Sequence, residues 1–157
     1  MPIGYDHGVT DERTYLRWLH RIFIERETSM AKPKLKVGEE VRFTVFYRAN
    51  YRCEKCDGGP DNFGWSVHHR VPRGMGGSRN TQLHLAANLI LLCGSGVTGC
   101  HGWVESNRDK ARERGFLLTK VESAEEIPFI DDSGKAWKIF NDGEKWEFDR
   151  SSGDPYL

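Results

Sequence analysis

The sequence lacks an apolar run anywhere near the roughly 20 residues that a helix needs to cross a bilayer. It also lacks a basic start followed by an apolar stretch, which is the pattern of a secretory signal. We therefore expect a soluble protein of the cytoplasm with no membrane contact. Disulfides are rare in that reducing compartment, so cysteine pairs there are more often metal ligands.

Net charge is absent as well, because 23 Lys and Arg residues balance 23 Asp and Glu residues. The distribution along the chain is nevertheless uneven. Residues 68–120 carry eight basic and three acidic side chains, whereas residues 121–157 carry four and ten. A basic middle segment suits a polyanionic partner, so the net charge of zero does not exclude binding to nucleic acid.

The apolar pattern predicts a mixture of helices and short strands. Apolar residues at helical spacing predict helices over 11–27 and 39–50, and a third from 101 to the glycine stop at 115. Short apolar runs predict strands over 65–69 and 88–92. A chain of 157 residues can bury one real core, and we expect the α+β class.

The last third of the chain has a different pattern. Residues 116–148 alternate short apolar runs with Asp and Gly turns, which predicts a β-hairpin or a small meander. We therefore divide the chain into an N-terminal helical extension and connector (1–40), a central domain (41–115) and a β-rich acidic extension (116–157).

All four cysteines form two pairs, Cys53 with Cys56 and Cys93 with Cys100. Four thiolates are the ligand set of a closed tetrahedral Zn²⁺ site, whose role is structural because no coordination position stays open. The second spacing is wider than the usual two-residue knuckle, and the Gly-rich insert over 94–99 allows a larger loop. Buried free thiols and a disulfide are the alternatives to structural zinc.

Histidines lie between and beside these cysteine pairs. His68 and His69 are neighbours, and on an extended strand neighbouring side chains point to opposite faces, so the two rings suit two different roles. His101 follows the last cysteine at the start of a predicted helix. Glu105 lies four residues further on, on the same helix face, where it could reach the same ion as His101. His84 lies in the spacer and has no assigned role.

The order of these residues resembles the His-Asn-His (HNH) endonuclease family, the ββα-metal or His-Me finger nucleases. The matching pieces are His-His-Arg at 68–70, Arg-Gly-Met-Gly-Gly at 73–77, the asparagine Asn88 and Gly-Cys-His-Gly-Trp at 99–103. The chain looks most similar to the small HNH proteins of bacteriophages. The resemblance covers about residues 41–114.

The resemblance implies a ββα-metal core stapled by the cysteine zinc site. It assigns His68 and His101 as ligands of a catalytic divalent ion and His69 as the general base that takes a proton from water. Asn88 would keep the base oriented, with plain turn chemistry as its alternative. Glu105 stands where some family members have histidine, so it is a third ligand or else a solvated or supporting glutamate.

The implied activity is hydrolysis of DNA phosphodiester bonds to 5′-phosphate and 3′-hydroxyl ends. The ligand set suits Mg²⁺, Mn²⁺, Ni²⁺ or Zn²⁺ without choosing among them. Three arginines border the Gly-rich loop and are expected to contact phosphate, with solvated surface as the alternative: Arg70, Arg73 and Arg79.

Two competing functions come from other classes. A non-catalytic, zinc-stabilised DNA-binding module would need the four cysteines and the basic segment but not the histidines. A phage packaging accessory protein would bind a terminase in the host cytoplasm, and this role is compatible with nuclease activity.

Overall fold

The computed structural model of the protein describes three stretches of the chain: residues 37–60, 64–74 and 80–148. All of these described residues belong to one unit of the chain, Lys34–Leu157. The helix predicted over 11–27 and the predicted DNA contact Arg79 lie outside the described residues.

The described residues form a small mixed α/β fold with three α-helices and two antiparallel sheets. The helices are α1 (Glu39–Arg48), α2 (Gly99–Ser106) and α3 (Arg108–Glu113), with 3₁₀ turns at Thr81–His84 and Ala86–Asn88. The strands are β1 (Trp65–His69), β2 (Leu89–Cys93), β3 (Phe129–Ile130), β4 (Ala136–Ile139) and β5 (Lys145–Phe148). Within the described ranges, no helix has the length and apolar character to cross a membrane.

Strand β2 runs through the centre of the core and is buried along its whole length. Alternate side chains of a strand point to opposite faces. Ile90 and Leu92 therefore pack in a cluster with Val104 of α2, whereas Leu89 and Leu91 pack in a second cluster with helix α1. The Leu-Ile-Leu-Leu run is apolar on both faces because both faces are covered.

The register of β1 on β2 decides where the two neighbouring histidines point. His68 lies opposite Ile90 and His69 lies opposite Leu89. Residues directly opposite in an antiparallel pair share a face of the sheet. His68 is therefore on the face that α2 covers, and His69 is on the other face, as the adjacent pair predicted.

The prediction of a single helix from 101 to 115 is wrong in one respect, because Asn107 interrupts the helix. This residue has φ −123° and ψ 53°, and its side-chain Nδ2 donates a hydrogen bond of 3.0 Å to the carbonyl of Trp103. A short amide side chain competes with the backbone in this way and favours helix ends. The glycine stop is confirmed, because Gly115 has φ +73° and a Cβ there would collide with the carbonyl of Pro128.

The predicted β-rich extension is a three-stranded meander in the order β3-β4-β5. Phe129 and Ile139 of this meander are fully buried in the same cluster as Ile90 and Val104. The meander therefore completes the core on the face of the β1-β2 sheet that carries His68.

The structure corrects the expectation that Arg70 contacts DNA. Its side chain is 0% exposed, and its guanidinium donates hydrogen bonds to the carbonyls of Gly115 (2.8 Å), Ala124 (2.7 Å) and Ile127 (2.6 Å). Burial lowers the pKa of Arg70 to about 9. These three carbonyls belong to residues outside the helices and strands, and the guanidinium supplies their hydrogen bonds. Arg70 therefore holds the 115–127 segment against β1 and cannot reach a phosphate.

We expect Arg70→Met to lower the free energy of unfolding by about 3 kcal/mol or more, because each unpaired buried carbonyl costs about 1–3 kcal/mol. Arg73→Met is the matched control, because Arg73 is exposed on the same loop and its loss should change stability by less than about 0.5 kcal/mol. Urea denaturation of the zinc-loaded proteins measures both. Equal stabilities of the two variants would contradict the structural role of Arg70.

Candidate metal centres and the histidine site

The four cysteines converge on one point between the 53–56 knuckle, the end of β2 and the first turn of α2. All four are free thiols whose sulfurs lie within 4.8 Å of one another, and the sulfurs of Cys56 and Cys93 are 3.9 Å apart. Two thiolates of a tetrahedral zinc ion, with bonds of about 2.3 Å, are separated by about 3.8 Å. The cluster is therefore compatible with a structural metal ion such as Zn²⁺, and the structure contains no disulfide between these four cysteines.

Backbone amides already point at two of these sulfurs. Gly58 N–H donates to Cys56 Sγ at 3.4 Å, and Cys100 N–H donates to Cys93 Sγ at 3.5 Å. The wide insert closes because Ser95 N–H donates to Thr98 Oγ1 at 2.9 Å, which makes 94–99 a tight turn. A hydrogen bond with the Cys100 thiol lowers the pKa of Cys53 to about 5, whereas the same hydrogen bond raises the pKa of Cys100 and burial raises the pKa of Cys56. Cys53 is therefore the member of the cluster that favours the thiolate.

A second cluster forms on the α2 face of β1, from the side chains of His68, His101 and Glu105. Glu105 Oε1 lies 3.9 Å from His68 Nδ1 and 3.8 Å from His101 Nε2. Two ligands of one ion with bonds of about 2.1 Å lie about 3.4 Å apart at the tetrahedral angle, so both separations are about half an ångström longer than in a loaded site. The candidate ligand atoms of all three residues lie within 4.8 Å of one another, so the three side chains surround one point.

The surroundings of these three side chains aim them at one point. His68 Nε2 is 3.1 Å from the carbonyl of Phe116, and donation there leaves the lone pair on Nδ1 facing Glu105. Metal-bound histidines usually donate their second nitrogen in this way. Arg108 holds the other carboxylate oxygen, Glu105 Oε2, at 2.9 Å.

The cluster of His68, His101 and Glu105 is open to solvent on the side of Glu105. The side chain of His68 is 5% exposed and that of His101 is 19% exposed, whereas that of Glu105 is 39% exposed. Burial lowers the pKa of His68 to about 3, together with the neighbouring His101 ring, and burial also lowers the pKa of His101. Both rings are neutral at physiological pH and present lone pairs, as metal ligands require.

The glycine after His101 allows α2 to approach the insert. A Cβ at Gly102 would lie about 2.5 Å from the backbone carbon of Val97, which no real side chain tolerates. Gly102 N–H also donates to the carbonyl of Thr98 at 2.8 Å. This close contact places Cys100 at the cysteine cluster and His101 at the histidine cluster on consecutive residues.

Asn88 ties together the segments that flank His69. Its Oδ1 accepts a hydrogen bond of 2.7 Å from Val71 N–H, and its Nδ2 donates to the carbonyl of Leu83 at 2.9 Å. The side chain is 4% exposed, so it acts inside the fold and does not meet a substrate directly. These contacts link the 3₁₀ turn at Thr81–His84 to the segment after His69, and the orienting role of Asn88 stays a prediction.

His69 is half-buried on the opposite face of β1, where it meets a residue that the sequence did not single out. Its Nε2 lies 3.4 Å from His84 Nδ1, and the two rings are nearly perpendicular. Burial, the charge of Arg73 and the neighbouring His84 lower the pKa of His69 to about 4. His69 is therefore neutral at physiological pH.

Sequence reasoning missed three contributors to these sites: His84, Arg108 and the carbonyl of Phe116. Arg108 had a detectable signal, since it lies three residues after Glu105 in a helical segment. His84 and Phe116 had none, because each reaches its histidine from a distant part of the chain.

Among the predicted phosphate contacts, Arg73 is exposed and lies close enough for its charge to act on both His69 and His84. The chain matches no protein-family model, no curated protein and no solved structure. Functional inference therefore rests on the geometry of the two clusters.

Proposed function

We propose that the protein is a metal-dependent DNA endonuclease of the HNH type, with its zinc-stapled ββα-metal core formed by β1, β2 and α2. The observation that carries this proposal is the convergence of His68, His101 and Glu105, together with a second histidine, His69, on the opposite face of the same strand. A zinc-stabilised module that only binds DNA has no use for such a second cluster.

Each residue would have a distinct task in hydrolysis. His68, His101 and Glu105 would hold a divalent ion, which supplies positive charge at the scissile phosphate and at the departing 3′ oxygen. His69 would accept one proton from water as the water oxygen bonds to phosphorus and the bond to the 3′ oxygen breaks. The products are a 5′-phosphate and, after protonation, a 3′-hydroxyl.

The low pKa of His69 suits this role once DNA is bound. In the free protein, burial and Arg73 both disfavour the protonated ring. A phosphate near the ring would pair with Arg73 and add negative charge, and both effects raise the pKa of His69 towards the range of an effective base. Arg73 would thus bind the substrate, and its pairing with the phosphate would remove part of the effect that lowers the pKa of His69.

The test is cleavage of supercoiled plasmid by purified protein after EDTA treatment and add-back of Mg²⁺, Mn²⁺, Ni²⁺ or Zn²⁺. We expect metal-dependent conversion of the plasmid, and a loss of about a hundredfold or more in His68→Ala and His101→Ala, because ligand loss should exceed the 10–100-fold effect of losing a supporting residue. Zinc analysis of each sample confirms that the cysteine cluster stays loaded.

Glu105→Ala distinguishes a third ligand from a solvated glutamate. The matched control is Asp109→Ala, which removes one negative charge from a side chain that is 97% exposed. A third ligand predicts at least a tenfold loss in Glu105→Ala alone. If the wild type binds DNA but cuts with none of the metals, the nuclease proposal fails and a zinc-stabilised binding module takes its place.

A further inference from the structure

We propose that His84 is a positioning residue of the catalytic site, which holds the His69 ring in the tautomer that leaves Nδ1 free to accept a proton. This inference rests on the proposed function, in which His69 is the base. It starts from the contact of 3.4 Å between His69 Nε2 and His84 Nδ1.

The contact constrains both tautomers. The two facing nitrogens need one hydrogen between them, since two lone pairs or two N–H groups would repel. If the hydrogen is on His69 Nε2, then Nδ1 of His69 is bare and can take a proton. If the hydrogen is on His84 Nδ1, then a neutral His69 carries its own hydrogen on Nδ1 and has no base to offer.

The rings are oriented to keep this contact. Their centroids are 5.3 Å apart and their planes meet at 86°, so one ring presents an edge nitrogen to the other. In the productive tautomer, the hydrogen of His84 lies on Nε2, which is buried and has no hydrogen-bond partner among the described residues. This unpaired N–H is a cost of that tautomer, and the hydrogen bond that His84 Nδ1 accepts from His69 Nε2 must offset it.

The chain holds His84 in place from both sides. His84 ends a 3₁₀ turn that begins with a side-chain cap, in which Asn80 Oδ1 accepts from Gln82 N–H at 3.0 Å. Asn88 Nδ2 donates to the carbonyl of Leu83, and Asn88 Oδ1 accepts from Val71 N–H. One asparagine side chain thus links the turn that carries His84 to the segment that follows His69.

During hydrolysis this arrangement requires only one proton transfer to a side chain. The water proton moves to Nδ1 of His69, and the hydrogen on Nε2 stays donated to His84. The resulting imidazolium then makes a charge-assisted hydrogen bond to a neutral acceptor, which is stronger than the bond in the resting state. His84 itself neither gains nor loses a proton and touches no reacting atom.

The experiment compares three variants at one position, His84→Ala, His84→Asn and His84→Gln. An Asn amide oxygen lies near the position of Nδ1, whereas the Gln amide reaches beyond it. We expect kcat to fall about 10–100-fold in His84→Ala and His84→Gln, with KM within about twofold of wild type, and to recover substantially in His84→Asn. Thermal unfolding and zinc content verify that each variant is folded.

A second measurement does not depend on cleavage. Nitrogen-15 NMR of the imidazole groups reads the tautomer of His69, which we expect as the Nε2–H form in wild type and His84→Asn and as a mixture in His84→Ala. Wild-type kcat in His84→Ala, or an unchanged His69 tautomer in that variant, would overturn the inference. If the wild type does not cut at all, the proposed function fails, while the tautomer still decides whether His84 positions the ring.

Discussion

Replacing His69 with alanine is expected to reduce plasmid cleavage by a factor of about 10²–10⁴, which is the usual contribution of a positioned general base. The reduction should appear in kcat, because the ring acts on the attacking water. Stability should change little, since His69 is only half-buried and lies outside both apolar clusters. Single-turnover cleavage under the best metal condition measures the effect.

Chemical rescue makes this test sharper. His69→Gly leaves a space beside His84 into which free imidazole can diffuse, so added imidazole should restore part of the lost rate. Gln82→Ala is the matched control, because it alters an exposed residue on the same 3₁₀ turn as His84. Equal cutting by His69→Ala and wild type would show that the base is another group or that a contaminant performs the cleavage.

Loss of a cysteine ligand is expected to unfold the described domain. Structural zinc contributes about 10–16 kcal/mol of apparent binding free energy in small zinc domains, which matches or exceeds the 5–15 kcal/mol stability of a typical protein. Cys56→Ser should therefore lose bound zinc and its cooperative thermal transition. Native mass spectrometry and circular dichroism measure these two quantities.

Cys56 also offers a matched control at the same position. Its side chain is at the surface, so the larger imidazole of Cys56→His has room, and three cysteines with one histidine form an ordinary zinc site. We expect Cys56→His to keep one zinc ion per chain and to unfold cooperatively. Unchanged zinc content and stability in Cys56→Ser would contradict the structural metal site.

The two clusters are coupled because α2 contributes neighbouring residues to both. Cys100 belongs to the cysteine cluster, and His101 belongs to the candidate catalytic cluster. The end of β2 contributes Cys93, directly opposite Trp65 on the strand that carries His68. A metal ion at the cysteine cluster would thus fix the position of α2 against β1, so we expect removal of zinc to abolish the proposed cleavage even if all the histidines are intact.

The sequence by itself determined the local features of this fold. Strand β1 and helix α1 lie within the predicted ranges, β2 is displaced by one residue, and the meander follows from its apolar runs and turns. The opposite faces of His68 and His69 follow from the period of a strand, and the shared face of His101 and Glu105 follows from the period of a helix. These properties depend on a few consecutive residues, so the sequence alone displays them.

Only the tertiary structure decided which side chains are structural and which are exposed. Arg70 was grouped with Arg73 as a phosphate contact, but carbonyls 45 to 57 residues away surround it. His84 had no assigned role until a 3₁₀ turn brought it to His69, 15 residues earlier in the chain. Contacts of this kind depend on how separate segments pack, and the free energy of burying and pairing polar groups is settled only after packing. Local periodicity therefore predicts the elements, and long-range packing assigns the roles.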